Sequence, residues 1–249
     1  MSQQFSTKDR VLAMLLRSEE FLSGAAIGEA LKVSRSAVNK AVSGLREEGY
    51  ELASVTNRGY RLVSCPDYVR AGELLALLPE ERMKNIVFFD ETDSTNNRLM
   101  DLYFDGAMSG TVVLADSQTK GRAKDGASFD SPRGGGVYLS YLIRPKKNQE
   151  AREVIQAAGV AATAAIEKAA GVKTSLRKNA ILRGEAKVGG ILTELLMEAE
   201  SGRVETIICG IGIHVKKRNG PCLEEATAGP VRRAVLAAAL IKELDRAMK

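Results

Sequence analysis

The chain has 249 residues, 45% apolar and 27% charged, which allows a buried core and two domains and argues against a low-complexity or fibrous protein. A net charge of +5 favours an anionic partner, and no apolar run reaches the roughly 18 residues of a membrane span, so no membrane partner is expected. Three scattered cysteines, a single histidine and an N-terminus without an apolar signal core point away from a disulfide framework or metal site and towards a reduced, cytoplasmic protein.

Residues 1–64 read as one unit. Val11, Leu12, Leu15 and Leu16 have the spacing of an amphipathic helix over 8–16. Ser23 and Gly24 open a second helix over 25–31. Ser34 is a ready N-cap for a third over 35–48, which carries Val38, Val42 and Leu45 and ends at Gly49. Two short strands follow around a Thr56-Asn57-Arg58-Gly59 turn. Three helices and a hairpin make a winged helix-turn-helix. Ser34, Arg35, Ser36, Asn39 and Lys40 at the exposed start of the third helix, with Arg58 at the wing tip, suit phosphates and base edges, so a DNA operator is the expected partner. A helical domain for protein contacts is the alternative.

After a linker at 64–67, residues 65–249 form the second domain. A short helix at 74–78 and a charged loop at 79–84 lead to a β-type run at 86–89. The cluster Asp93-Ser94-Thr95-Asn96 is then placed to cap a helix carrying Leu99 and Met100. An apolar run at 111–114 and another at 137–143 read as strands. Between them lies a loop with Gln118, Lys120, Arg122, Lys124, Arg133 and three successive glycines, Gly134 to Gly136. Such a loop wraps an anionic ligand well, because backbone approaches closely at glycine and cations neutralise charge; a solvated hairpin fits the same composition. An alanine-rich helix over 150–170, the stretches 174–182 and 187–197, a strand pair joined over a short turn within 204–215, and a helix over 231–248 complete the chain.

The order Gln118-x-x-Gly121-Arg122, Gly126, Phe129, Ser131-Pro132, Gly134 and Tyr138-Leu139-Ser140 resembles the biotin-binding loop of biotin protein ligases. Members of that family with an N-terminal DNA-binding domain also serve as biotin operon repressors. The Asp93–Asn96 cluster, Lys187 before Gly190-Ile191-Leu192-Thr193-Glu194, and Gly210-Ile211-Gly212-Ile213-His214-Val215 resemble three further motifs of the family. The resemblance implies an α/β (α+β) fold: a winged helix-turn-helix followed by a class II synthetase-like mixed β-sheet flanked by helices. It implies biotin or biotinyl-5'-AMP as ligand, held by Ser94, Thr95, Asn96, Gln118, Gly121, Arg122, Gly134, Lys187, Gly189 and Gly190. Arg122 and Lys187 would be the catalytic cations, acting at the ligand carboxylate and phosphate. Pairing into a homodimer, suited to two operator half-sites, is also implied.

Departures gather on the nucleotide side. Lys124 replaces an arginine and adjoins Asp125, and Phe129 replaces the usual tryptophan. Asn179 is kept, but Ala180 stands where the family has an aspartate, and His214 replaces an asparagine. An SH3-like barrel would follow the last helix in the family, and the sequence stops at Lys249. The expectation is a DNA-binding regulator that senses a small carboxylic acid, biotin or a relative such as a lipoate- or pimelate-like molecule. ATP, magnesium and a biotin carboxyl carrier protein enter only with surviving ligase activity, the alternative being an active bifunctional ligase and repressor.

Overall fold

A computed structural model describes residues 5–145, 151–198, 200 and 202–248. The chain divides into two compact units, one ending at Lys84 and one beginning at Asn85.

The first unit runs α1 (Thr7–Arg17), α2 (Gly24–Leu31), α3 (Arg35–Glu47), β1 (Glu51–Val55), β2 (Gly59–Ser64), α4 (Ala71–Leu77) and α5 (Glu80–Met83). Ser6, Ser23 and Ser34 each accept a hydrogen bond from a first-turn N–H of the helix they precede, satisfying donors that have no intrahelical partner. The apolar faces meet in a core of Val11, Leu12, Leu15, Ile27, Val38, Val42 and Leu45. The β1–β2 hairpin is clipped to the segment before α2 by paired backbone bonds between Leu22 and Tyr60, of 2.8 and 2.9 Å. This unit continues past the 64–67 stretch because α4 packs on α1 and the Tyr50 hydroxyl donates to the buried carboxylate of Glu73. Burial first, and the Glu73 charge second, push the Tyr50 phenol far above its usual range. The stretch expected to be a charged loop contains the short helix α5, with Met83 buried.

The second unit runs β3 (Ile86–Phe89), α6 (Thr95–Phe104), β4 (Val112–Ala115), β5 (Gly136–Ile143), α7 (Ala151–Ala170), β6 (Ser175–Arg177), β7 (Ala180–Arg183), β8 (Ala186–Met197), β9 (Val204–His214) and α8 (Arg233–Ala247). Glu150, expected to begin the alanine-rich helix, lies outside the described residues. The strands form one mixed sheet in the order β3-β4-β5-β9-β8-β7-β6, with β3 and β4 parallel and the other neighbours antiparallel. Side chains alternate across it. Leu142 and Ile208 pack on Leu99 of α6, whereas the Tyr141 hydroxyl donates to Asp245 of α8 at 2.9 Å. So α6 covers one face and α8, packed against α7, the other. Among the described residues no helix is long and apolar enough to cross a membrane.

One expectation is corrected. Residues 204–215 are not two strands joined over a turn: β9 pairs with β5 and β8 without a break across Cys209 and Gly210. The glycines there serve clearance in an extended ladder rather than a reversal of the chain. Burial pushes the Cys209 thiol in this strand up to about 12.

A buried cation ties α8 to the sheet. Arg233 is 1% exposed. Its Nη1 donates to Asp116 Oδ1 at 2.6 Å, just past the end of β4, and to the Gly136 carbonyl at 3.1 Å. Replacing it leaves a largely buried carboxylate without this counter-ion. Arg233→Ala is expected to lower the stability of the second unit by about 3 kcal/mol, read as the shift of its urea unfolding midpoint.

Candidate ligand-binding site

The site is built on the face that α6 partly covers. Residues 138, 140 and 142 of β5, 190, 192 and 194 of β8, and 208, 210 and 212 of β9 share this face, because the strands pair in register and side chains alternate. Gly190 is paired with Gly212, and Leu192 with Gly210. Beyond the end of α6 the floor is therefore nearly bare of side chains. The empty positions are filled from outside the sheet. A methyl group on Gly210 would lie 2.4 Å from Asn96 Oδ1, and one on Gly212 would lie 2.4 Å from the Phe129 ring.

The start of α6 and the loop between β4 and β5 form the walls. Gln118 joins them: its Oε1 accepts from the Thr95 N–H at 2.8 Å and from the Thr95 hydroxyl at 3.1 Å, and its Nε2 donates to Ser131 Oγ at 2.8 Å. Ser140 Oγ, fully buried, lies 2.7 Å from Thr95 Oγ1 and 2.6 Å from Asn96 Oδ1. The Asn96 amide donates to Glu194 Oε2 at 2.7 Å. Arg122 Nη2 donates to the same oxygen at 2.8 Å and to Asn97 Oδ1 at 2.7 Å. The loop folds back on itself through Phe129 N–H to the Gly121 carbonyl and Ala123 N–H to the Ala127 carbonyl. Its Phe129 ring stacks on His214 with centroids 4.7 Å apart.

Ser94 departs from the expected capping role. It is the N-cap residue of α6, yet its side chain makes no cap bond. Asp93 takes the acceptor role in this turn, with bonds from Asn97 Nδ2 at 2.7 Å and Arg98 Nε at 3.2 Å. Burial raises the Asp93 carboxyl, but the bonds from Asn97, the Ser94 backbone, Arg98 and Thr92 outweigh it and hold it well below the usual carboxylate range. The Ser94 hydroxyl is left to line the cleft.

The resulting open cleft is lined by Ser94, Thr95, Asn96, Gln118, Arg122, Phe129, Asn179, Lys187 and Gly190, among others. Among the described residues no acid is part of the lining, whose charges are Arg122 and Lys187; Glu194 pairs with Arg122 at its edge. Three of the expected glycines stand back from the lining. Gly121 faces the Phe129 carbonyl and Ser131, Gly189 lies against the Gly212 carbonyl inside the sheet, and Gly134 is in a turn beside Arg233. On the expected nucleotide side, His214 lines an adjoining cavity with Lys187, Lys216, Arg218 and one acid, Asp130. Lys124 lines a separate one with Arg152 and Lys178, which Asn179 borders as well.

Residues 88–214 match the biotin/lipoate A/B protein ligase family, and residues 7–61 match an HTH domain. The chain belongs to the biotin/lipoate A/B protein ligase family. The bifunctional ligase/repressor BirA of Bacillus subtilis (strain 168) is 38% identical over 214 residues, which is 85% of this chain and 65% of that protein. The Escherichia coli (strain K12) protein of the same name is 30% identical over 249 residues, covering 96% of this chain and 75% of that one. The chain thus spans just under two thirds of the length of the Bacillus relative. A biotin protein ligase from Aquifex aeolicus, solved in complex with biotin and ATP, aligns with a TM-score of 0.58 at 30% identity, over 66% of this chain and 70% of that one.

In the HTH domain, Arg35, Ser36, Asn39, Lys40 and Arg58 are exposed. Ser34 Oγ lies 2.8 Å from Ser36 Oγ, and Asn39 Oδ1 accepts from the Tyr60 hydroxyl at 2.7 Å. Arg58 stacks over Phe21 at 4.8 Å, and Arg61 does so at 4.9 Å. Sequence reasoning missed Arg61 as part of this surface. It also missed the roles of Glu194, Ser140 and Asn97 at the cleft, although the first two stand inside motifs it had singled out and Asn97 directly follows one.

Two outcomes follow. Asp93 ionises more readily folded than unfolded, so its contribution is full above its unfolded pKa and is lost as pH falls below about 4. Melting temperature should drop over that acid range in the native protein and less steeply in Asp93→Asn. Gly212→Val should displace Phe129 from its notch, read as faster hydrogen exchange in residues 121–129 with the sheet still protected.

Proposed function

We propose that this chain is a DNA-binding transcriptional regulator whose ligase-family domain binds biotin or a related carboxylic acid as a signal, without ligating it. The observation that carries the reading is the meeting of Ser94, Thr95, Gln118, Arg122 and Lys187 at one cleft that lacks acidic side chains. A carboxylate entering it is neutralised by Arg122 and Lys187, with charge-assisted bonds of about 1.5–3 kcal/mol each. Ser94, Thr95 and Gln118 offer hydroxyl and amide groups to the polar ring of the acid.

Activating that carboxylate with ATP asks for more. Phosphate chemistry needs further cations and, for magnesium, at least one free carboxylate beside the phosphates. Ala180 offers a methyl group, and Glu194 is engaged by Arg122 and Asn96. Phe129 and His214 are stacked on each other rather than open to a base. Among the described residues no carboxylate lines this cleft, and Asp130, which lines the adjoining cavity, accepts from Asn219 Nδ2 at 3.0 Å. In the HTH domain, the exposed polar start of α3 is suited to a major groove and Arg58 to a neighbouring phosphate, and two copies would read two half-sites.

The second reading, an active bifunctional ligase and repressor, is favoured by the names of the Bacillus and Escherichia relatives. Calorimetry with biotin, followed by incubation with biotin, ATP, magnesium and a carrier domain, separates the two. The expected result is biotin binding that weakens at least about tenfold in Arg122→Ala and Lys187→Ala, with the carrier left unmodified. Carrier biotinylation would establish the second reading instead.

A further inference from the structure

The charge that serves the ligand is itself held in place. Arg122 sits on a long exposed loop, its side chain is 43% exposed, and an unrestrained guanidinium there would sample many rotamers. Instead, among the described residues both its side-chain bonds fall on Nη2, one to Glu194 and one to Asn97. That leaves Nε and Nη1 for a ligand. Glu194 is fixed in turn by the Asn96 amide, whose carbonyl end is close to buried Ser140 and rests over Gly210. The chain of contacts runs from the centre of the sheet out to one loop cation, and Glu194 is the link between them.

We propose that Glu194 is a positioning residue that aims Arg122 at the carboxylate of the bound acid, so that its effect on affinity for the charged acid passes through Arg122. This rests on the reading of the cleft as an acid-binding site. Glu194 lies on β8, so its carboxylate does not travel with the loop, and the ion pair fixes the loop cation relative to Lys187 on the same strand. A neutral acceptor of the same shape keeps the bond to Nη2, so glutamine should retain most of the effect and alanine lose it.

The test is a set of calorimetric titrations of the full chain with biotin and with biotin methyl ester, which lacks the charge. Glu194→Ala is expected to bind biotin about tenfold more weakly and the ester as tightly as the native protein does, with Glu194→Gln restoring most of the loss. In an Arg122→Ala background, Glu194→Ala should have no further effect. Equal weakening for biotin and ester would assign Glu194 a general structural role and overturn the proposal. So would an unchanged biotin affinity, or additive losses in the double variant. A native protein that binds neither compound would overturn the proposed function itself, and this proposal with it.

Discussion

The cleft depends on three places in a β-sheet where there is no side chain. Gly190, Gly210 and Gly212 share one face of β8 and β9; a Cβ would project into the open cleft at Gly190 and into Asn96 and Phe129 at Gly210 and Gly212. A sheet interior is ordinarily filled to crystal-like density, so a hollow must be built in by composition. Around the hollow the same face is conventionally packed, with Leu142 and Ile208 under Leu99. The site is thus a gap in one layer of an otherwise well-filled core.

Polar groups brought to such a gap must satisfy one another when no ligand is present. That explains why Ser140, Thr95, Gln118 and Ser131 form a continuous series of short contacts, and why Asn96 uses both ends of its amide. The series ties β5, the start of α6 and the loop after β4 to one another. Arg233 holds the other end of that loop by binding Asp116 and the Gly136 carbonyl. The loop is thus tied at both ends, and in its middle it is held by Arg122 on Glu194 and Asn97 and by Phe129 on His214.

Much of the fold was legible in the sequence. The serine caps before α1, α2 and α3, the period of Val11, Leu12 and Leu15, and the hairpin turn at Asn57 were local signals, and local chemistry decided them. What the sequence misled about was also local. Ser94 reads as a cap, but Asp93 accepts the bonds in that turn. The glycines of 204–215 read as a reversal, but their neighbours on both sides continue the ladder. In each case a residue that serves the tertiary structure was taken for a local signal.

Composition and motif order by themselves determined the family, the two-part organisation and the positions of Gln118, Arg122 and Lys187 in named segments. They did so because those signals are properties of contiguous residues. Only the tertiary structure decided that Glu194, 72 residues along the chain from Arg122, faces it, and that Gly210 makes room for Asn96. Pairing across a sheet joins residues through register and face, and neither can be counted from spacing along the chain.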